Sequence, residues 1–231
     1  MPERFLIVGN GRERGNEMKI KICGLTRPED IVCVNRWGPD YAGFVFWPES
    51  RRYVDRQRAA QLKKLLSSRI QAVGVFVDAP VENVTGLLAE GIIDAVQLHG
   101  EESEEDIRCI QETTGAMVIK AVKVYSRQDV EAWMDSRADY LLFDSGMGSG
   151  RTFDWRLLAG INRPCFLAGG LGADNLGELL DHIIPYGIDV SSSVETDGHK
   201  DPEKICQIIE QVRDRSGQMQ TVCQMEEKNN E

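Results

Sequence analysis

Short apolar segments alternate with longer amphipathic segments along most of the chain. Eight segments are mostly apolar on both faces, which is typical of parallel strands covered by helices. They are residues 19–23, 40–46, 70–77, 94–98, 117–122, 139–144, 164–168 and 187–191. Each is followed by a segment with helical periodicity, namely 29–37, 54–68, 81–90, 103–113, 127–135, 154–159, 174–184 and 202–215. Eight such units predict a closed (β/α)8 barrel, an α/β fold whose active site lies at the carboxyl ends of the strands.

The two ends of the chain fall outside this alternation. Residues 1–17 combine one short apolar run with a turn-rich, charged stretch, and we expect them to form a loosely attached extension. Residues 216–231 are polar, and we expect a frayed tail. The pattern therefore predicts a single barrel domain over residues 18–215.

Composition narrows the class of partner. The chain has 231 residues and a formal net charge of −10, which repels nucleic acid, and no apolar run is long enough to cross a bilayer. The six cysteines form no CxxC pair and the three histidines are not at ligand spacings from them, so we expect no zinc or iron–sulfur site. Reduced thiols and the lack of a signal peptide favour the cytoplasm. A small molecule is the expected partner.

Two proton-transfer groups stand at strand ends on opposite sides of the predicted ring. Cys23 ends the first strand, and Asp144 ends the sixth on the face that points into the barrel. A desolvated carboxyl group can act as a general acid, and a thiolate can act as a general base. The alternatives are a buried apolar cysteine and an aspartate that caps a helix or pairs with a cation. The residues alone leave both alternatives open.

Glycine and serine cluster after the last two strands, where barrels often bind phosphate. Gly169 and Gly170 follow the seventh strand, and Ser191, Ser192 and Ser193 follow the eighth. Backbone N–H groups and hydroxyls there could cradle a sugar phosphate, although glycines also make ordinary tight turns. A third flexible loop after the sixth strand, containing Gly148, Ser149 and Gly150, is a candidate lid or a further part of the phosphate site.

Charged side chains near the same strand ends add anion recognition. Arg51 and Arg52 follow the second strand, and a guanidinium of either could bind a substrate carboxylate in bidentate fashion. Within the barrel, Lys21 and Asp189 each lie two residues before a site residue, on strands that are neighbours at closure. Because a lone buried charge is costly, we expect these two to form an ion pair beneath the site.

Motifs at the strand ends carry a family resemblance. They are KIKICGLT at 19–26, GFVFWPESRRY at 43–53, VGVFV at 73–77, VQLHGE at 96–101, LFD at 142–144, GSGRTFDW at 148–155, LAGGL at 167–171 and DVSSSVE at 189–195. In this order they closely resemble the phosphoribosylanthranilate isomerases of tryptophan biosynthesis. The resemblance implies a monofunctional barrel, a monomer or homodimer, that performs an Amadori rearrangement without a cofactor.

The resemblance also implies roles for individual residues. It places the general base on Cys23 and the general acid on Asp144, and it selects Arg52 over its neighbour as the residue that binds the substrate carboxylate. Gln97 and His99 are expected at the substrate, and the glycines and serines after the last two strands at its phosphate. An unperturbed thiol titrates near 8.5, so the base needs help, and Lys21 on the same strand face is the candidate.

Two departures and two competing functions bear on this assignment. Much of the family has glycine where Ser193 stands, so a backbone angle that requires glycine is in doubt, and the loop after the sixth strand looks short.

One competing function is that of the histidine-pathway isomerase, which performs the same rearrangement on an aminoimidazole substrate with two aspartates. The other is a barrel that binds phosphoribosyl ligands without turnover. A cysteine at the end of the first strand argues against the first, and intact Cys23 and Asp144 argue against the second.

Overall fold

The computed structural model describes residues 17–145 and 154–228. Most of the predicted N-terminal extension and the predicted loop residues Gly148, Ser149 and Gly150 lie outside the described residues. Within these ranges, none of the helices has the length and hydropathy needed to span a bilayer.

Eight parallel strands close into a barrel in sequence order, with β1 hydrogen-bonded to β8. The strands are β1 Lys19–Cys23, β2 Tyr41–Val45, β3 Gln71–Phe76, β4 Ala95–Leu98, β5 Met117–Lys123, β6 Tyr140–Asp144, β7 Cys165–Leu167 and β8 Gly187–Val190. Each of these eight strands lies at a segment predicted from the two-faced apolar pattern. The predicted (β/α)8 fold is therefore confirmed.

Helices cover the outside of the barrel. They are α1 Pro28–Trp37, α2 Arg56–Leu65, α3 Val81–Ala89, α4 Glu104–Thr114, α5 Arg127–Glu131, α6 Leu176–His182 and α7 Pro202–Lys228. The segment after β6, predicted as a helix over 154–159, forms only a 3₁₀ turn, Trp155–Leu158. A further 3₁₀ turn, Ser192–Val194, and the strand pair Glu195–Thr196 (β9) and His199–Lys200 (β10) follow β8.

Helix α7 runs past the predicted end near Arg215 to Lys228. The sequence there has one glycine, Gly217, among good helix formers, and one glycine in a helix costs only about 1 kcal/mol. The polar residues after Arg215 were therefore not enough to predict where α7 ends. In its first half, Ile205, Ile208 and Val212 are almost fully buried and fasten this helix to the barrel.

Inside the barrel, aromatic side chains fill the end away from the carboxyl termini of the strands. Tyr140 and Tyr186 stack with ring centroids 4.2 Å apart, and Phe166 meets Tyr41, Tyr140 and Tyr186 edge-on. Such pairs contribute about 0.5–1.5 kcal/mol each beyond the area they bury. The floor is thus apolar and packed, and polar inward-facing groups are concentrated toward the other end.

Candidate active site

The thiol of Cys23 lies in space that a neighbouring glycine leaves open. Cys23 is the last residue of β1 and is opposite Gly43 of β2 in the strand register. A Cβ at Gly43 would stand 2.7 Å from the Cys23 sulfur, which is closer than real contacts allow. Only glycine at position 43 therefore permits this thiol position without rearrangement. The side chain is buried at the carboxyl end of the strand.

An ion pair lies directly beneath this thiol. Lys21 Nζ is 2.8 Å from Asp189 Oδ2, with the lysine side chain fully buried and the aspartate nearly so. The pair predicted from the sequence is therefore present. Burial works to lower the pKa of Lys21, but attraction to Asp189 and to Cys23 outweighs it and raises that pKa. Lys21 therefore carries a positive charge under the sulfur.

Burial dominates the titration of the thiol itself. It raises the pKa of Cys23 above the ordinary value, while Lys21 and, more weakly, Lys200 lower it. Lys21 thus acts in the direction expected of a helper but does not overcome desolvation. The thiol of the free protein is protonated at neutral pH, and the two lysines stabilise the thiolate once it forms.

Asp144 at the end of β6 faces His99, the residue that directly follows β4. His99 Nε2 is 3.4 Å from Asp144 Oδ2, and Gln97 Nε2 is 3.0 Å from His99 Nδ1. The amide N–H of Gln97 donates to Nδ1, which places the imidazole proton on Nε2, toward the carboxyl group. Of the two residues expected at the substrate, Gln97 is almost fully buried and His99 is partly exposed.

The loop after β7 packs against the same carboxyl group. Gly169 has a φ of +84°, and a Cβ there would stand 2.6 Å from Asp144 Oδ1 and would collide with Ser145. Asp189 is also close enough to Asp144, His99 and Cys23 for their charges to influence one another. The acid and base candidates therefore border the same part of the barrel.

The glycine-rich loop after β7 and the serine-rich loop after β8 lie against each other. A Cβ on Gly172 would lie 3.3 Å from the Cβ of Ser193, so the loops after β7 and β8 are in contact. Gly170 has a φ of +67°. Ser191 Oγ donates to the carbonyl oxygen of Cys23 at 3.0 Å, which fastens this loop to β1. This bond directs the Ser191 hydroxyl toward the base strand.

Ser193 takes an ordinary backbone conformation within its 3₁₀ turn. Among the described residues, the non-glycine residues with positive φ are Asp78 and Asp197. The serine found where relatives often have glycine therefore imposes no left-handed strain here.

Arg52 is held by a carboxylate of the protein. Its Nε is 2.6 Å from Glu195 Oε1 and its Nη2 is 2.7 Å from Glu195 Oε2, whereas Arg51 is exposed. Lys200 Nζ donates to the same Oε1 at 2.7 Å and to the carbonyl oxygen of Ser191 at 2.9 Å. Sequence reasoning missed Glu195, the partner of the arginine, and Lys200, which holds Glu195, because two-residue strands such as β9 and β10 leave no periodic pattern.

Glu195 is stabilised in its charged form by the two cations around it. Burial works to raise the pKa of Glu195, but the hydrogen bonds from Arg52 and Lys200 outweigh it and lower that pKa. The hydrogen bond to Glu195 raises the pKa of Arg52. Within the described residues, no three His, Cys, Asp or Glu side chains are grouped so that they could hold a metal ion.

These features together define a class of protein. A closed (β/α)8 barrel that presents a thiol, a carboxyl group, an arginine and two abutting glycine and serine loops at one end is built for acid–base chemistry on a phosphorylated small molecule. The model of one family, N-(5'-phosphoribosyl)anthranilate (PRA) isomerase, matches residues 20–211. The chain belongs to that family.

Individual relatives agree with the family match. The N-(5'-phosphoribosyl)anthranilate isomerase of Lacticaseibacillus casei (strain BL23) is 42% identical over 195 residues, covering 84% of this chain and 94% of the relative. The crystal structure of phosphoribosyl anthranilate isomerase from Thermotoga maritima is 37% identical, with a TM-score of 0.78 over 84% of this chain and 98% of that one. A complex of such an isomerase with reduced 1-(o-carboxyphenylamino)-1-deoxyribulose 5-phosphate is 37% identical, with a TM-score of 0.75, covering 83% and 96%.

Proposed function

We propose that this chain isomerises N-(5'-phosphoribosyl)anthranilate to 1-(2-carboxyphenylamino)-1-deoxyribulose 5-phosphate, with Cys23 as general base and Asp144 as general acid. The observation that carries the proposal is the placement of these two residues at the ends of β1 and β6, both within electrostatic reach of Asp189. The family match supports the reaction, and the site geometry supports the roles.

The first step opens the ribose ring. The protonated carboxyl group of Asp144 donates to the furanose ring oxygen as the C1–O bond breaks, leaving a C4 hydroxyl and a protonated Schiff base between C1 and the anthranilate nitrogen. The carboxylate that remains faces the Nε2–H of His99, which stabilises its new negative charge. His99 is therefore a positioning residue for the acid as well as a partly exposed group at the mouth.

The second step moves a proton from carbon. The thiol proton of Cys23 first passes to solvent. The resulting thiolate removes the proton from C2, and the electron pair neutralises the Schiff base nitrogen to give an enolamine. Reprotonation at C1 with loss of the C2 hydroxyl proton gives the ketone. Lys21 stabilises the thiolate through its charge, since the thiol is desolvated where it stands. C2 is oxidised and C1 is reduced within the same molecule, so there is no net redox change and the step needs no external oxidant or reductant.

Binding of the substrate uses the two ends of the site. The phosphate lies against the loops of Gly169–Gly170 and Ser191–Ser193, and the anthranilate carboxylate lies against Arg52. With a net charge of −10, the chain takes this small molecule and no nucleic acid, and it acts in the cytoplasm as a monomer or homodimer.

A fluorescence assay tests the function directly. The purified protein should consume N-(5'-phosphoribosyl)anthranilate, monitored by loss of its anthranilate fluorescence, and should not turn over the aminoimidazole substrate of the histidine-pathway isomerase. Equilibrium binding of the first compound without turnover would contradict an isomerase function and would indicate a binding protein.

A further inference from the structure

The guanidinium of Arg52 has two edges that can bind a carboxylate, and one is already used. A guanidinium carries five N–H donors in a fixed plane. The side edge, Nε–H with one Nη2–H, donates to both oxygens of Glu195. The end edge, formed by Nη1 and the remaining Nη2–H, is left for a second carboxylate. Glu195 therefore determines which edge of Arg52 can face a ligand.

Glu195 is itself held on its other side. Lys200 is opposite Glu195 in the short pair β9–β10, and its side chain is almost completely buried with its Nζ on Glu195 Oε1. Lys200 also donates to the carbonyl oxygen of Ser191, in the loop after β8. We name these three side chains, Arg52, Glu195 and Lys200, the carboxylate clamp.

The stem of Arg52 is fixed as well. Gly24 directly follows Cys23, and a Cβ at position 24 would collide with the Arg52 Cδ. The aliphatic part of Arg52 thus lies on the backbone next to the base, while Ser191 joins the clamp to the carbonyl oxygen of Cys23. Through these contacts the position of the guanidinium is tied to the position of the base and to the loop after β8.

The clamp retains a charge for a ligand. Two cations and one anion leave one net positive charge, which matches one substrate carboxylate. A flexible arginine on a loop would lose side-chain entropy on binding, and a pre-organised one loses less. Because the Arg52 side chain is about one-fifth exposed while Glu195 and Lys200 are buried, the arginine is the member of the clamp open to solvent.

We infer that Glu195, held by Lys200, is a specificity-determining positioning residue: it presents the end edge of Arg52 to ligands that carry an aryl carboxylate. This inference rests on the proposed function and deepens it by adding two residues that act through Arg52. It predicts that loss of the Glu195 charge weakens binding only of ligands that have the carboxylate.

Two stable ligands separate this role from a structural one. One is reduced 1-(2-carboxyphenylamino)-1-deoxyribulose 5-phosphate, and the other is the same compound with hydrogen in place of the carboxylate. Calorimetric titration of Glu195→Gln should show a loss of affinity on the order of tenfold for the first ligand and less than about twofold for the second. Glu195→Asp keeps the charge and should recover part of the lost affinity.

The matched control is Glu90→Gln, which removes an exposed carboxylate that pairs with Arg56 on the outside of the barrel. It should bind both ligands like the wild type. An equal loss for both ligands in Glu195→Gln, or a gain for the carboxylated one, would overturn the inference. Normal binding of the ligand without the carboxylate also shows that the variant is folded.

Failure of the proposed function looks different. If the wild type binds both ligands with equal affinity, Arg52 does not recognise a carboxylate and the proposed substrate is wrong. If the wild type discriminates but Glu195→Gln discriminates equally well, only the positioning role is wrong.

Discussion

At the scale of single residues, burial and a neighbouring charge act on the pKa of Cys23 in opposite directions. Burial raises the pKa of the thiol, and the Lys21 charge beneath it lowers that pKa. Lys21 can lie there only because Asp189 compensates it at 2.8 Å, which makes the ion pair part of the base as well as part of the core. Removing either ion should therefore affect stability more than removing an exposed charge.

Replacement of Lys21 by methionine tests this dependence. Lys21→Met leaves the Asp189 carboxylate buried without its partner and should destabilise the protein by about 3–5 kcal/mol in urea unfolding. Lys19→Met removes a partly exposed pair with Asp40 and should cost no more than about 1 kcal/mol. The double variant Lys21→Met/Asp189→Leu should recover most of the loss. An equal loss in the free energy of unfolding for Lys21→Met and Lys19→Met would show that the buried pair matters no more than the exposed one.

At the scale of secondary structure elements, the strands were the most predictable part of the molecule. Two-faced apolar runs have few alternatives in a parallel barrel, so strand ends, and with them Cys23 and Asp144, could be placed from the sequence. The short pair β9–β10 could not, because its role depends on tertiary contacts of Glu195 and Lys200. The orientation of Gln97 behind His99 likewise depends on packing, which alternation alone does not encode.

The domain boundaries of 18–215 remain a prediction that truncation can test. A chain of residues 18–215 keeps the buried residues of α7, Ile205, Ile208, Ile209 and Val212, and should retain kcat/KM within about twofold of the full chain. A chain that stops at Lys204 lacks those four residues and should not fold. Loss of activity in the 18–215 chain would show that one of the two ends belongs to the functional domain.

At the scale of the whole molecule, several buried groups bind their protons more tightly than they would in the unfolded chain. Burial raises the pKa of Cys165 from 9.0 to about 12, and it raises the pKa values of Tyr41, Tyr140 and Tyr186 as well. Above pH 9 the unfolded chain loses protons that the native state keeps. The stabilisation that these groups contribute to the folded state should therefore be complete below that pH and should be lost as the pH rises.

A comparison of wild type with Cys165→Ala isolates one of these groups. Between about pH 8 and about pH 10.5, Cys165 alone should reduce the free energy of unfolding by about 2 kcal/mol. Each pH unit above the pKa of the thiol in the unfolded chain costs about 1.4 kcal/mol. The variant is less stable at all pH values because of its cavity, but its stability should fall less steeply with pH. Parallel curves for the two proteins would contradict the assignment.

Turnover by single-site variants tests the central claim, that Cys23 and Asp144 are the base and the acid of one isomerisation, most directly. Cys23→Ala and Asp144→Ala should each abolish consumption of N-(5'-phosphoribosyl)anthranilate in the fluorescence assay, while calorimetry shows that both still bind the reduced product analogue. Cys33→Ala, which removes another buried thiol on α1, should retain turnover. Substantial turnover by either active-site variant would contradict the role assigned to that residue.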